Sequence, residues 1–383
     1  MRVNISGLKT IVEKLNLAVE KSTLNPKAGW IEMVEQDSGE LLVLVGNFDY
    51  YVESSVKCVE SSDGDKMHIT VSADTFIPLV SKLDDGFADF RNTKNAMIVS
   101  TENGEYTFPL IKEAGKAKSI DKISFNDGDA KECIVSSDDI SSISSVNAKG
   151  LVDSTFRSEI QQYIYVDEVG AITFTENIYI NDFLCEDNNG EFRFLLNGTQ
   201  AKLMKIFEKS GNVSVRVIDS SDPNSPTKVK FSSEKDGLSI SLILSTQPKS
   251  IVDKFPSIKL RKLSSAVSNT HAVIDKKSID KALQRLMVFD KKFGADVMNY
   301  SKLVFGENEV TLVSIKNNNR ETVKYISGKN TIEHESIIRF ADLINQLKAV
   351  QGKDLDISYG DSPAITINSY RLKQLIPEIV ERT

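Results

Sequence analysis

Cysteine is scarce in this chain. Cys58, Cys133 and Cys185 are the only three among 383 residues. An odd number at wide spacing excludes a disulfide scaffold and suits a reducing compartment. Histidine is equally rare: His68, His271 and His334 lie in or just after short apolar runs, where they read as strand or loop residues without a chemical role. No CxxC or HExxH spacing occurs, which argues against a structural zinc site. There is no Walker-type phosphate loop and no GxGxxG. Sequence distance alone leaves a Cys–His pair open, but Cys133 and Cys185 sit in apolar strand-like runs and read as buried thiols. Two acidic turns, Ser62–Asp65 and Asn126–Asp129, lack the closing Glu of a calcium loop and read as ordinary Asp-Gly turns. Asn197-Gly198-Thr199 fits a glycosylation acceptor, which means little without a secretory signal. No stretch approaches the ~18 apolar residues of a membrane span. No apolar run follows Met1–Ser6, so no signal peptide is expected. These absences predict a soluble cytoplasmic protein with no catalytic residue, no metal and no cofactor.

Positive charge is also in deficit. Lys plus Arg number 47 against 54 Asp plus Glu, a net charge of −7. That excludes a generally basic nucleic-acid coat and leaves room for a local basic surface. With 40% hydrophobic and 26% charged residues, the composition is globular. The length fits roughly two to three domains.

What the chain has is a repeat. Leu8, Ile11, Val12, Leu15 and Val19 recur at helical spacing after a short strand, Met1–Ile5. Strand-like runs follow at Trp30–Val34, Leu41–Val45, Tyr50–Val59 and His68–Val71. Asp74 is a candidate cap for a second helix carrying Phe76, Val80 and Leu83, with Pro78 in its first turn. Strands at Phe87–Phe90, Ala96–Ser100 and Tyr106–Ile111 close the unit. The order returns from about residue 133, with helices near Asp138 and Thr199, and again from about 271, with helices near Ser278 and Glu335. Loop-forming residues at Asn126–Ala130 and Ser264–Thr270 mark the boundaries. The expected domains are 1–128, 129–264 and 265–383. In each, two helices must be backed by antiparallel sheets, an α+β architecture.

The pattern resembles the bacterial DNA polymerase sliding clamp, the beta subunit of the replicative polymerase, over essentially the whole chain. Met1–Ile5 with the Leu8–Val19 helix looks like the clamp N-terminus. Leu42–Asp49 is similar to a clamp strand leading into an aspartate-containing loop. Asp253-Lys254-Phe255-Pro256 looks like the stretch closing the second clamp domain, one residue shorter between Asp and Phe. Ala282–Phe289 looks like the first helix of the third. The resemblance implies three repeated DNA-clamp domains forming half of a homodimeric ring. Such a ring is a processivity factor, not an enzyme. It holds double-stranded DNA without sequence readout and tethers a polymerase and clamp loader through a short peptide.

Charge distribution is an independent check. In the helix expected at 276–292, Lys276, Lys277, Lys281, Arg285, Lys291 and Lys292 outnumber Asp280 and Asp290. Cations also exceed acids in the helices expected at 199–210 and 8–21, whereas 138–149 runs acidic. A basic lining on an acidic chain attracts phosphates locally; ordinary solvated helix faces carry lysine too. The DNA-facing candidates are Lys9, Lys14, Lys202, Lys205, Lys209, Lys277, Lys281 and Arg285, with Lys21 and Arg157 added by family position. The resemblance places the partner-peptide pocket at Thr175, Tyr179, Ile180, Pro256, Leu260, Ile376 and Pro377; an alternative alignment puts Ile379 and Val380 in place of the last two. Here Ile178–Asn181 stands where the family has Gly-His-Arg-Leu, and six residues follow Pro377. These departures imply a different peptide and an unusual replication system, such as that of a virus or mobile element. Ring closure would use Phe108 and Leu110 against Val288 and Phe289. The competing reading is a repetitive β-rich structural or assembly protein with no DNA role.

Overall fold

The structure, a computed structural model, describes the chain except residues 21–24, 63–65, 147–157, 176–178, 186–189, 267–269, 291–299, 316, 329–332 and 380–383. Antiparallel strands carry short helices: α1 (Ile5–Leu15), α2 (Ala73–Val80), α3 (Ser137–Val146), α4 (Gly198–Leu203), α5 (Lys249–Val252), α6 (Ser257–Ser264), α7 (Lys276–Asp290) and α8 (Phe340–Leu347). The residues group into two compact units. The first holds Met1–Ser142, Asn188–Phe194 and Lys202–Ser250; the second holds Ile143–Asp187, Leu195–Ala201 and Ile251–Thr383. The middle third of the chain therefore contributes to both.

In the first unit one sheet runs from Lys131–Ser136 to Gly104–Pro109. Its centre is the pairing of Leu238–Pro248 with Tyr50–Glu60, in which Leu242 faces Val52. That pairing joins the first and middle thirds edge to edge. The strands alternate because one sheet face is packed: Val52, Val215, Phe231 and Leu242 are fully buried. α1 begins at Asn4, whose Oδ1 accepts from the amides of Ser6 (2.9 Å) and Gly7 (3.3 Å). Its stripe Ile5, Leu8, Ile11, Val12 and Leu15 is buried. On the sheet's other side, the segment carrying Ile120, Ile123 and Phe125 covers Leu44, Tyr51 and Ile243.

The second unit repeats this plan. Ile180–Leu184 pairs with Leu372–Pro377, again joining the middle third to its neighbour. The sheet continues to His334–Arg339 at its edge. α7 buries Ile279, Ala282, Leu283 and Leu286 and packs against α8.

Several expected boundaries shift. α2 starts at Ala73 with Ser72 as its cap, so Asp74 lies in the first turn and Pro78 in the second. The strand His68–Ser72 runs straight into the helix, and buried Ala73 already belongs to the packed stripe. The helix expected near Glu335 begins only at Phe340. His334–Arg339 is a strand instead, with Ser336 and Ile338 facing inward at strand period and Tyr300–Phe305 alongside. The helix expected at 199–210 is α4 plus a 3-10 turn at Met204–Phe207. Lys209 and Gly211, at φ of +62° and +78°, end it. α5 and α6 were not expected.

One buried acid gives a test of the first unit. The Glu35 carboxylate accepts from the Ser62 amide (2.7 Å), the Ser62 hydroxyl (2.5 Å) and the Met67 amide (3.3 Å). Burial opposes its ionisation, but these donors and Lys66 outweigh that and hold its pKa below the usual carboxylate range. A lowered folded pKa stabilises the fold above the unfolded value and ceases to do so as pH falls through the folded one. Glu35→Gln should therefore lose about 1–3 kcal/mol at neutral pH. The gap to wild type should close in acid. Parallel stability–pH curves from thermal melts would disprove the assignment.

Candidate functional site

An apolar cluster lies in the second unit, where α6 meets the sheet. Tyr165, Ile172, Ile180, Leu195, Val252, Phe255, Leu260 and Leu375 form its buried part. Ile160, Tyr163, Phe174, Ile251 and Ala364 pack against it and stay partly exposed. Phe255 anchors it, stacked on Tyr165 at 4.9 Å between centroids and edge-on to Phe174 at 5.5 Å. Ile180 and Leu375 meet because they are direct cross-strand partners.

The pocket residues singled out from the sequence are placed as follows. Ile180 and Leu260 enter this cluster. Pro256, at the start of α6, and Pro377, opposite Ala364, are half-buried beside it. Ile376 pairs with Ile365, and both are fully buried. One residue along a strand reverses the face, so Leu375, not Ile376, joins Ile180. Thr175 and Tyr179 bond to each other: the Thr175 amide donates to the Tyr179 carbonyl at 3.0 Å, and the Tyr179 amide to Thr175 Oγ1 at 3.2 Å. The Tyr179 hydroxyl donates to Asp342 Oδ2 at 2.6 Å, and Arg339 reaches the same oxygen at 2.6 Å. Burial and the Asp342 carboxylate push the phenol pKa up to about 12, so it remains a neutral donor. Of the alternative pair, Ile379 donates its amide to the Ile337 carbonyl at 2.8 Å, while Val380 lies outside the described residues.

Sequence reasoning missed what holds α6. Arg261 grips Asp167 with two 2.7 Å bonds and reaches Asp182 at 3.4 Å. Ser264 donates to Asp182 at 2.9 Å. Burial pushes the Asp182 carboxyl up, and Arg261 and Ser264 work against that push. The only sequence signal was an Asp inside each of two apolar strand runs.

The candidate cations divide into groups. Lys14 is pinned: its ammonium donates to the Ile206 carbonyl (2.7 Å), Ser210 Oγ (2.8 Å) and the Glu208 carbonyl (3.4 Å). Burial drives its pKa below the ordinary lysine range. It serves as a cap on a carbonyl end. Lys9 pairs with Asp85 at 3.3 Å, and Arg285 grips Glu321 at 2.7 and 2.6 Å. Lys202, Lys205 and Lys209 are exposed on and after α4. Lys277 and Lys281 are exposed one turn apart on α7. Lys21 and Arg157 lie outside the described residues.

Of the four residues assigned to ring closure, Phe108 is 5% exposed and packs edge-on against Phe76 at 5.6 Å, a core contact of its own unit. Leu110 is half-buried. Val288 and Phe289 at the end of α7 are 62% and 49% exposed. Among the described residues no group of three or more His, Cys, Asp or Glu could hold a metal ion. No described helix is long and apolar enough to cross a membrane.

No family model matches the sequence, and no curated protein matches it. Solved structures do. The beta subunit of DNA polymerase from Streptococcus pyogenes matches at 15% identity with a TM-score of 0.75, covering 100% of this chain and 99% of that one. The beta subunit of DNA polymerase III from Thermotoga maritima matches at 14% identity with a TM-score of 0.75 and the same coverage. The Helicobacter pylori beta clamp bound to a DNA ligase peptide matches at 12% identity with a TM-score of 0.67, covering 99% of this chain and 100% of that one. The chain has the sliding-clamp fold from end to end.

Proposed function

We propose that this chain is a DNA sliding clamp: a non-catalytic accessory subunit that closes as a homodimeric ring around duplex DNA and tethers a polymerase. The fold match over the full length of both chains carries the reading. The three domains would be 1–128, 129–264 and 265–383, two chains supplying six around the hole. A ring retains DNA by topology, so it needs only weak, sequence-independent phosphate contacts. Exposed Lys277 and Lys281 on α7 and Lys202, Lys205 and Lys209 around α4 are suited to that. Lys14 and Arg285, engaged within the chain, are weaker candidates.

The apolar cluster beside α6 is the proposed seat for a partner peptide. Its half-exposed rim, Ile160, Tyr163, Phe174, Ile251 and Ala364, offers apolar anchors. The bound ligase peptide of the Helicobacter pylori clamp is the precedent for such a partner.

The test has two stages. Light scattering over a dilution series should give twice the chain mass of 42.5 kDa. Protein loaded on nicked circular DNA should then remain at high salt and slide off after linearisation. Equal loss from circular and linear DNA would favour the structural-protein alternative.

A further inference from the structure

The middle of the first unit's sheet carries a row of small hydroxyls on one face. Five strands supply the row in register: Ile134 faces Ser214, Ser214 faces Ser232, Ser232 faces Ser241 and Ser241 faces Glu53. Residues directly opposite share a face, and their neighbours along each strand take the other. Those neighbours include Val215, Phe231, Leu242 and Val52, all fully buried in the core. The serine row therefore looks away from the core. The segment carrying Ile120, Ile123 and Phe125 packs on Tyr51 and Ile243, in the next row. Beside it the serines floor a trough of about 400 Å³, within the range of small-molecule sites, roughly 300–1,000 Å³.

The cations near the trough are engaged. Lys230 donates to both oxygens of Asp127, at 2.8 and 3.0 Å. Arg216 joins Asp127 at 2.9 Å to Glu132 at 3.0 Å. Lys122 lies over the Tyr51 ring at 5.8 Å. Glu53, half-buried at one end of the row, accepts from the Tyr51 hydroxyl at 3.3 Å. Glu234 is exposed at a corner of the trough. Ser241 differs from all of these. It is 8% exposed, and its hydroxyl has no hydrogen-bond partner among the described residues. A buried hydroxyl without a bond is costly, and it can both donate and accept.

These groups select a ligand by charge. An anion would meet the carboxylates of Glu53 and Glu234. An ammonium offers no lone pair to the Ser241 proton. A neutral hydroxyl answers both demands, donating to Glu53 and accepting from a serine. We propose that the trough binds a neutral polyhydroxylated small molecule, a sugar or a cyclic polyol. Ser241 changes rotamer to meet it. The short serines let a ring lie close to the sheet, with Ile134 and Leu42 beside its C–H edges. The proposal invokes neither DNA nor the ring, so it fails or survives independently of the clamp reading.

Ligand-observed NMR on the full chain, titrating glucose, galactose, maltose and myo-inositol, tests this. At least one should bind saturably. Ser241→Ala removes an unpartnered hydroxyl, so it should keep or raise the thermal midpoint. It should nevertheless weaken that ligand by about fivefold or more. Ser232→Leu fills the floor and should abolish binding with the midpoint unchanged. Spermidine and inorganic phosphate serve as ionic probes. Absence of saturable binding by all four neutral ligands would overturn the proposal. So would Ser241→Ala binding like wild type, or an ionic probe displacing the bound ligand and losing its own affinity in Ser232→Leu.

Discussion

Arg261→Ala is expected to destabilise the second unit by about 3–5 kcal/mol, the usual effect of removing one partner from a buried charge cluster. Asp167 and Asp182 have side chains only 8% and 1% exposed. Without the guanidinium, two carboxylates face each other with little water. Asp167 keeps the Val169 and Gly170 amides at 3.0 and 3.1 Å, and Asp182 keeps Ser264. Those neutral donors, with Lys373 also acting on Asp182, do not replace the guanidinium. Arg261→Lys should fall between, because an ammonium cannot reproduce the two parallel bonds to Asp167. Combining Arg261→Met with Asp167→Asn and Asp182→Asn should recover much of the loss. Thermal melts would check this. A loss under about 1 kcal/mol for Arg261→Ala would mean water already screens the cluster. The same substitution should weaken partner-peptide binding under the clamp reading, because Arg261 holds the helix that supplies Leu260.

That cluster also shows where the sequence stops being readable. Strands such as Tyr50–Glu60 and Leu238–Pro248 were visible because one packed face imposes period two over many residues. α1 was visible because its stripe is wholly apolar. α6 was not: its inward positions are Ser257, Leu260, Arg261 and Ser264, so a single apolar residue marks the buried side. Its ionic partners lie 94 and 79 residues away, and no local pattern encodes such distances. Lys14 carries the same lesson. Helical spacing places it toward solvent, but the carbonyls it caps lie 192 or more residues on. Along Leu372–Pro377 the sequence Leu-Lys-Gln-Leu-Ile-Pro does not alternate, so the parity of the strand was not legible. Which of Leu375 and Ile376 faces the cluster depends on the Tyr370–Arg371 turn, and a shift of one residue there exchanges the two faces.

Phe289→Asp is expected to leave the fold intact and dissociate the proposed dimer. The side chain is 49% exposed beside Val288 at 62%, while the packing of α7 rests on Ile279, Ala282, Leu283 and Leu286. Two adjacent exposed apolar residues at a helix end gain little in an isolated chain and much when a second copy covers them. A central aromatic contact is worth about 2 kcal/mol or more, roughly thirtyfold in the dimer dissociation constant. Desolvating the new carboxylate adds to that. Light scattering should therefore show monomers at concentrations where the wild type is dimeric, with an unchanged thermal midpoint at matched monomer concentration. Phe108→Asp separates an interface effect from a packing effect. Phe108 lies against Phe76 at 5% exposure, so a charge there should lower the midpoint before it alters the mass. Gly104–Pro109, the strand carrying Phe108, ends the first unit's sheet and leaves one side of its backbone without a strand partner among the described residues. If Phe108→Asp melts early and Phe289→Asp dissociates, the contact between copies runs along that strand's backbone and the end of α7, with the Phe108 ring kept for the core. A Phe289→Asp protein that stays dimeric would take α7 out of the interface.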